Sequence, residues 1–264
     1  MHEDYEKLKA YLANLGSVLV AFSGGVDSSL LLAATVDALG DRALAITIKS
    51  ALHPAAELDA ARQLAEDLGA RHMDIELDEL GNPDFVANTL QRCYLCKTMR
   101  FSLLLQLARE TGLAHVVEGS NTDDLDDFRP GMQAAREQGI LSPFLELSLG
   151  KADIRKLARQ RGLACWNRPS NACLATRLPP GVHVTREKLE RIERAETLLA
   201  RLGFKKPRAR EHGDLVRIEV DEGELLKFQD AGLRSELVAG MKEAGYTLVT
   251  IDLEGYRPGG LANS

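Results

Sequence analysis

Ser23-Gly24-Gly25-Val26-Asp27-Ser28-Ser29 gathers two glycines, a carboxylate and three hydroxyls directly after an apolar run and directly before a helical pattern. In that position glycines let the backbone turn tightly and aim successive N–H groups at an anion, while the helix N-terminus adds partial positive charge. The serine hydroxyls add neutral donors. A Walker loop carries a lysine in G-x-x-x-x-G-K-[ST]; these residues include none, so transfer of a terminal phosphoryl group is not their natural chemistry. The plain alternative is a ligand-free strand-to-helix turn, and a strand, loop and helix all in register weigh against it.

Cys93 and Cys96, in Gln91-Arg92-Cys93-Tyr94-Leu95-Cys96-Lys97, are three apart at a helix start, which puts both sulfurs on one face. Cys173 lies in Pro169-Ser170-Asn171-Ala172-Cys173-Leu174-Ala175-Thr176-Arg177. A C-x-x-C alone fits a redox pair, half of a zinc site or part of an iron–sulfur site. Zinc wants a fourth ligand, and no histidine neighbours these motifs. Three thiolates with an open fourth position suit a [4Fe-4S] cluster whose unique iron carries an exogenous sulfide. Most unpaired cysteines are small buried hydrophobes, and that is the reading for Cys165, in a strand-like Leu163-Ala164-Cys165-Trp166 beside the one tryptophan. For the other three the polar flanks Arg92, Lys97, Asn171 and Arg177 argue otherwise, since cationic neighbours favour the thiolate.

The elements that must position these groups alternate short apolar runs with longer helical patterns, the mark of a parallel sheet wrapped by helices. Strands are expected at 17–22, 43–48, 71–77 and 115–119, and helices at Asp27 to Leu39, Pro54 to Leu68, Cys93 to Glu110 and Lys151 to Arg161. Leu141 to Leu147 reads as an edge strand or loop. The residues Ile46 to Ser50 close the second strand and face the same crevice as the glycine loop, because ligands bind outside the carboxyl ends of parallel strands. Asp123, Asp124, Asp126 and Asp127 follow the fourth strand; acidic loop runs are mostly solvated, and a role in holding a metal or fixing Arg129 is the alternative.

Pro179-Pro180-Gly181 breaks this alternation and is read as a linker between a domain at 1–178 and a second at 182–264. The second is a small α+β domain with a helix from Thr185 to Arg201, a hairpin turning at His212-Gly213-Asp214, helical patterns at Glu222 to Ala231 and Arg234 to Ala244, and a strand in Thr247 to Leu253. Arg208 and Arg210 alternate on one face of that hairpin; R-x-R by itself reads as a solvated strand edge.

A formal charge of −6 with both signs interspersed leaves no basic stripe, so nucleic acid is a disfavoured partner. The charged N-terminus reads as an amphipathic helix rather than a leader, and no apolar run approaches the about 20 residues that cross a bilayer. A cytoplasmic, membrane-free protein with reduced cysteines is expected.

The S-G-G-x-D-S pattern resembles the PP-loop of the ATP pyrophosphatases, a superfamily with an adenine nucleotide alpha hydrolase-like, Rossmann-like α/β fold. That resemblance implies that Ser23, Gly24, Gly25, Asp27, Ser28 and Ser29 cradle the departing pyrophosphate, that Asp27 sits near Mg²⁺, and that backbone around Ile48 and Ser50 meets the adenine of ATP. SGGVDSS, RCYLCK, Gly119 to Asp124, Asp127 to Gly131, PSNACLATR and PRAREHGDLVRIE together resemble the LarE family over most of the chain. The resemblance implies an ATP-dependent sulfur transferase that adenylates a carboxylate of pyridinium-3,5-biscarboxylic acid mononucleotide and thiolates it during nickel-pincer cofactor synthesis. It further implies a substrate-phosphate role for Arg208 and Arg210, acidic positions at Glu196 and Glu219 that could bind a divalent ion, and a homo-oligomer whose interface is the small domain. The sequence matches the three-cysteine branch, with Cys93, Cys96 and Cys173 holding iron and the sulfide source open; a sacrificial Cys173 that gives up its own sulfur is the second mechanism. A tRNA thiolation enzyme, an ammonia-dependent synthetase and a non-catalytic nucleotide-binding module are the rival readings.

Overall fold

The computed structural model describes residues 3–125, 130–168 and 172–257. The chain divides into two compact units, one of residues 1–79 and 91–171 and one of residues 80–90 and 172–264. Asp126, Asp127, Phe128, Arg129, Pro169, Ser170, Asn171 and the tail from Gly259 lie outside the described residues.

Among the described residues, the first unit holds a parallel four-stranded sheet in the order β3-β2-β1-β4, made of β1 (Val18–Ala21), β2 (Ala43–Lys49), β3 (His72–Glu76) and β4 (His115–Val117). Register runs Val18 against Ala43 and against His115, so β1 is central and paired on both sides. Both faces are covered, as a parallel sheet requires. Val18, Val20, Ala43, Ala45 and Val117 point into one core, while Leu19, Leu44, Ile46 and Val116 point into the other, the strict alternation of a strand. The first core is closed by α1 (Glu3–Asn14), α2 (Val26–Leu39), α3 (Ala55–Asp67) and, beyond the sheet, by α8 (Lys151–Gln160).

Helices α4 (Pro83–Val86), α5 (Arg92–Glu110), α6 (Pro130–Glu137) and α7 (Pro143–Glu146) complete the set before α8. Of these, α5 and α6 close the second core. The apolar segment Leu141 to Leu147 is therefore neither an edge strand nor a plain loop. Only Leu141 bridges to Val117, and Pro143 then opens the short helix α7, at the first helical position where its missing N–H costs nothing. Cys165 lies in a turn rather than a strand, and it packs into the first core.

α2 and α8 run side by side in the same direction. Arg161, just past α8, forks onto Asp37 near the end of α2 at 3.1 and 3.0 Å, and Tyr5 of α1 donates its hydroxyl to the same carboxylate at 2.7 Å. At the opposite ends, Lys151 pairs with Asp27. Both helix N-termini are thereby brought to the glycine loop.

The second unit contains an antiparallel hairpin of β5 (Arg208–His212) and β6 (Leu215–Glu219), with β7 (Leu248–Ile251) added parallel to β6. α9 (Arg186–Arg201) and α10 (Ala231–Glu243) pack on one face through Leu198, Leu199, Leu237 and Met241 against Ala209, Val216 and Ile218. Thr185 caps α9 by accepting from the Lys188 N–H at 3.3 Å. Glu222–Gln229 is a 3₁₀ segment and not an α-helix. Pro179-Pro180-Gly181 falls inside this unit, which also takes in α4: the Asn88 side chain donates to the carbonyls of Pro179 at 2.8 Å and Val182 at 2.9 Å, and Gly181 N–H returns to Asn88 O. No helix among the described residues is long and apolar enough to cross a membrane.

Candidate active site

β1 ends at Ala21 and the chain turns through Ser23-Gly24-Gly25 into α2. Gly24 has φ +71°, and a Cβ placed on it would lie 2.9 Å from the Cβ of Ala61. Glycine is required there on both counts. We expect Gly24→Ala to destabilise the chain by about 2–4 kcal/mol, from the left-handed backbone and the overpacking together, read as a lower urea midpoint at unchanged slope. A loss under about 0.5 kcal/mol, the size of an ordinary surface change, would show that the loop relaxes freely.

The hydroxyls knit the loop. Ser28 Oγ accepts from Ser23 N–H at 3.2 Å, lies 3.0 Å from Ser23 Oγ and donates to Gly25 O at 3.2 Å. Ser29 is fully buried and donates to Gly25 O at 2.7 Å, so its hydroxyl braces the turn from behind while Ser23, Gly25, Asp27 and Ser28 line the cavity in front. The first N–H groups of α2 have no intrahelical partner and remain available to an anion.

That cavity, of about 290 Å³, opens at the carboxyl ends of β1, β2 and β4. The strand order reverses between β1 and β4, which is where open α/β sheets bind ligands. Ile46, Thr47 and Ile48 form one wall; Lys97, Arg100 and Phe101 of α5 form another. Glu118, buried at the end of β4, accepts from Ser142 Oγ at 2.6 Å and Ser120 N–H at 3.0 Å, with Lys97 Nζ at 3.8 Å. Arg100 donates twice to the buried Glu79 at 3.0 and 2.8 Å and to Ser50 Oγ at 3.3 Å. Ser50 thus serves the cavity through its hold on Arg100 and on the Leu52 N–H. Gly119 lies against the start of α2, where a Cβ would come within 3.2 Å of Asp27 Cβ and Ser28 N.

Asp27 carries the charge of the loop. Its Oδ2 is bonded by Lys151 Nζ, and its Oδ1 is buried without a hydrogen-bond partner among the described residues. Burial raises its carboxyl above the usual range; the Lys151 ammonium works against that shift, and the nearby Asp124 adds to it. Among the described residues no three or more His, Cys, Asp or Glu side chains gather as metal ligands. One carboxylate with an unmet oxygen fits Mg²⁺, which takes one or two protein carboxylates and completes its shell with phosphate and water. Asp123 accepts from the Lys151 N–H, and Asp124 caps the Asn121 turn by accepting from the Asn121 N–H at 3.0 Å.

Cys93 and Cys96 occupy the first turns of α5, Cys93 exposed and Cys96 half-buried; Lys97, the next residue, lines the cavity. In the second unit, Cys173 caps a short 3₁₀ turn, Leu174–Arg177, and is half-buried. None of these cysteines is in a disulfide.

Arg208 and Arg210 share one face of β5, as their alternation requires, but that face is buried, at 6% and 5% exposure. Arg210 donates to Thr176 O at 3.0 Å and Glu219 at 2.7 Å, and Arg177, 2% exposed, forks onto Glu196 at 2.7 and 2.9 Å. Arg217 also reaches Glu219, at 3.1 Å. Glu196 and Glu219 are engaged by these guanidinium groups instead of standing open to a divalent ion. Burial, then the positive charge of Arg177, depress the Arg208 pKa. Arg177, Arg208 and Arg210 around Glu196 and Glu219 leave one positive charge in excess in a largely buried place, while Arg217, 30% exposed, also faces Asp252 at 3.6 Å.

A PP-loop domain model matches residues 2–177. An uncharacterised protein of Synechocystis sp. is 41% identical over 97% of this chain and 96% of its own length. The pyridinium-3,5-bisthiocarboxylic acid mononucleotide synthase of Lactiplantibacillus plantarum is 38% identical over 96% of this chain and 91% of its own. The chain belongs to the LarE family of PP-loop enzymes. An uncharacterised protein of Methanocaldococcus jannaschii, 32% identical over 91% of this chain and 90% of its own length, is a further relative. As a LarE-family member the chain is an ATP-dependent sulfur transferase with an α/β PP-loop fold.

Sequence reasoning pointed to the loop and to Ile46 to Ile48, which line the cavity of this LarE-family chain, and it missed Lys97, Arg100, Glu118 and Lys151 as cavity and loop residues. For Lys151 a signal existed: a lysine in the first turn of a helix opposes the helix dipole, and such a residue needs an anion nearby to be comfortable.

Proposed function

We propose that this chain uses ATP to activate a carboxylate of pyridinium-3,5-biscarboxylic acid mononucleotide and converts it to a thiocarboxylate, releasing AMP and pyrophosphate, in nickel-pincer cofactor synthesis. The observation that carries the reading is the glycine loop at the sheet's switch point, with a single carboxylate, Asp27, at its helix start. Ser23, Gly25 and Ser28 hold the β and γ phosphates through N–H and hydroxyl groups, Gly24 shapes the turn and Ser29 braces it. Asp27 holds Mg²⁺. Ile46 to Ile48 receive the adenine, and attack by the substrate carboxylate falls on the α phosphorus. Arg208 and Arg210 hold the phosphate of the mononucleotide.

Cys93, Cys96 and Cys173 are proposed as ligands of a [4Fe-4S] cluster, which would supply a bound sulfide at its unique iron. None of the three is in a disulfide or buried, which suits that donor set, whereas Cys165, in the core, does not. The chain itself contributes activation: a carboxylate oxygen that leaves poorly is turned into AMP, which leaves well.

The test is anaerobic incubation with ATP, Mg²⁺, sulfide and the dicarboxylate mononucleotide, following AMP, pyrophosphate and the mass of the product. A product with oxygen replaced by sulfur, formed with stoichiometric AMP, is expected. ATP cleavage that depends on ammonia or on tRNA, with the pyridinium compound inert, would move the chain to one of those enzyme classes.

A further inference from the structure

Among the described residues of the second unit three arginines are buried, Arg177, Arg208 and Arg210. Carboxylates fix two of them: Glu219 takes Arg210, and Glu196 takes the fork of Arg177. Arg208 has another kind of neighbour. It donates to the Pro207 carbonyl at 3.0 Å, and its guanidinium lies over the ring of Tyr256, 5.2 Å from the centroid. The positive charges of Arg177 and Arg210 both act on it. Like charges that close push a guanidinium toward water unless something opposes them.

The backbone brings Tyr256 to this place. β7 ends at Ile251, and the Asp252 N–H is bonded to Ile218 O at 2.9 Å. The chain then turns, with the Glu254 N–H on Asp252 Oδ1 at 3.0 Å and the Gly255 N–H on Asp252 O at 3.2 Å, and the Tyr256 N–H returns to Val220 O at 2.8 Å. Gly255 permits the turn: its φ is +71°, and a Cβ placed on it would lie 2.8 Å from Val220 O. Val220 follows Glu219, which faces Arg208 across the hairpin, so the segment after β7 folds back along the end of β6 and lays its ring on the first residue of β5. Main-chain bonds therefore hold Tyr256 independently of the arginine. A ring face attracts a guanidinium and restricts its rotamers without occupying N–H donors, as a carboxylate does.

We propose that Tyr256 is a positioning residue for substrate binding: its ring holds the Arg208 guanidinium in the buried arginine group, against the repulsion of Arg177 and Arg210, with its donors oriented for the phosphate of the mononucleotide. The proposal rests on the reading of Arg208 and Arg210 as the phosphate residues. The segment from Asp252 to Tyr256 thereby belongs to the substrate site, although β5 alone carries the arginines.

The test follows substrate-dependent exchange of labelled pyrophosphate into ATP by the full-length chain, for wild type, Tyr256→Leu, Tyr256→Phe, Arg208→Gln and the double variant Tyr256→Leu with Arg208→Gln. Tyr256→Leu should raise the KM for the mononucleotide about ten- to thirtyfold, the size of a desolvated cation–π contact, and leave kcat and the KM for ATP near their wild-type values. Tyr256→Phe keeps the ring face and should restore the wild-type KM. In the Arg208→Gln background the loss of the ring should add nothing, because the group it positions is gone. An unchanged KM in Tyr256→Leu, a Tyr256→Phe as weak as Tyr256→Leu, or a full further loss in the double variant would overturn the proposal. If Tyr256→Leu melts without cooperativity, Tyr256→Met, which fills similar space without a ring, takes its place under the same criteria; failure of both to fold would assign Tyr256 to the core and overturn the positioning role. Arg208→Gln with a wild-type KM for the mononucleotide would instead overturn the phosphate reading of the arginines, and this inference with it.

Discussion

Asp27→Asn should lower substrate-dependent pyrophosphate release by about 10²–10³, the usual size of losing one preorganised charge at a phosphoryl-type transition state. The substitution keeps the shape of the side chain, removes its charge and exchanges one acceptor oxygen for an amide donor. Lys151 loses an ionic partner, but it is 24% exposed and readily hydrated, so the fold should tolerate the change. The sign of the metal dependence provides the sharper check. On the proposed reading the Asp27 carboxylate would repel the phosphates without Mg²⁺ and would hold the ion when it is present. Wild-type affinity for an ATP analogue should therefore rise strongly with Mg²⁺, and the variant should bind the metal-free nucleotide at least as well as wild type while gaining little from the metal. Turnover within tenfold of wild type, with the metal dependence intact, would place the ion elsewhere and remove Asp27 from the machinery.

The parallel sheet was legible because its strands alternate so cleanly: Val18 and Val20 face one core and Leu19 the other, and the helices between them are long enough to show their period. The glycine loop was legible because its chemistry is contained in seven consecutive residues. What escaped has a common cause in sequence distance. Lys151 acquires its meaning only when α8 is laid beside α2, and no local pattern states that. Residues 80–90 join the second unit through Asn88, whose partners Pro179 and Val182 lie 91 and 94 positions away. Leu141 to Leu147 is apolar enough for a strand, yet Ser142 and Pro143 turn it into a helix start.

The arginines show a second kind of illegibility. R-x-R on a strand looks like a solvated edge, because guanidinium groups are rarely buried without partners. Here Arg210 finds Glu219 of β6, while Arg177, whose sequence context marked it only as a flank of Cys173, takes Glu196 of α9. Arg210 is fixed by Glu219 and the Thr176 carbonyl, and Arg177 by its fork onto Glu196, before any ligand arrives. On the proposed reading a phosphate entering this place would meet donors already oriented, so little further ordering would be required on binding.

Activation and sulfur delivery are separable in this chain, and Cys173→Ser should separate them. The loop, Asp27 and the β2 wall belong to the first unit and contain no cysteine, so substrate-dependent exchange of labelled pyrophosphate into ATP should continue at the wild-type rate in the variant. Thiocarboxylate product should be undetectable, because on the proposed reading Cys173 carries the sulfur chemistry in either mechanism, as a ligand or as the donor itself. Cys93→Ser and Cys96→Ser then decide between the two. If the three cysteines act together, each of these variants also loses product, along with iron and acid-labile sulfide measured after anaerobic purification, where wild type holds about four iron per chain. If Cys173 is the sacrificial donor, Cys93→Ser and Cys96→Ser complete a first turnover normally, and mass spectrometry finds Cys173 converted to dehydroalanine in step with product. Loss of pyrophosphate exchange in Cys173→Ser would contradict the separation itself, since a thiol absent from the nucleotide cavity has no part in forming the adenylate.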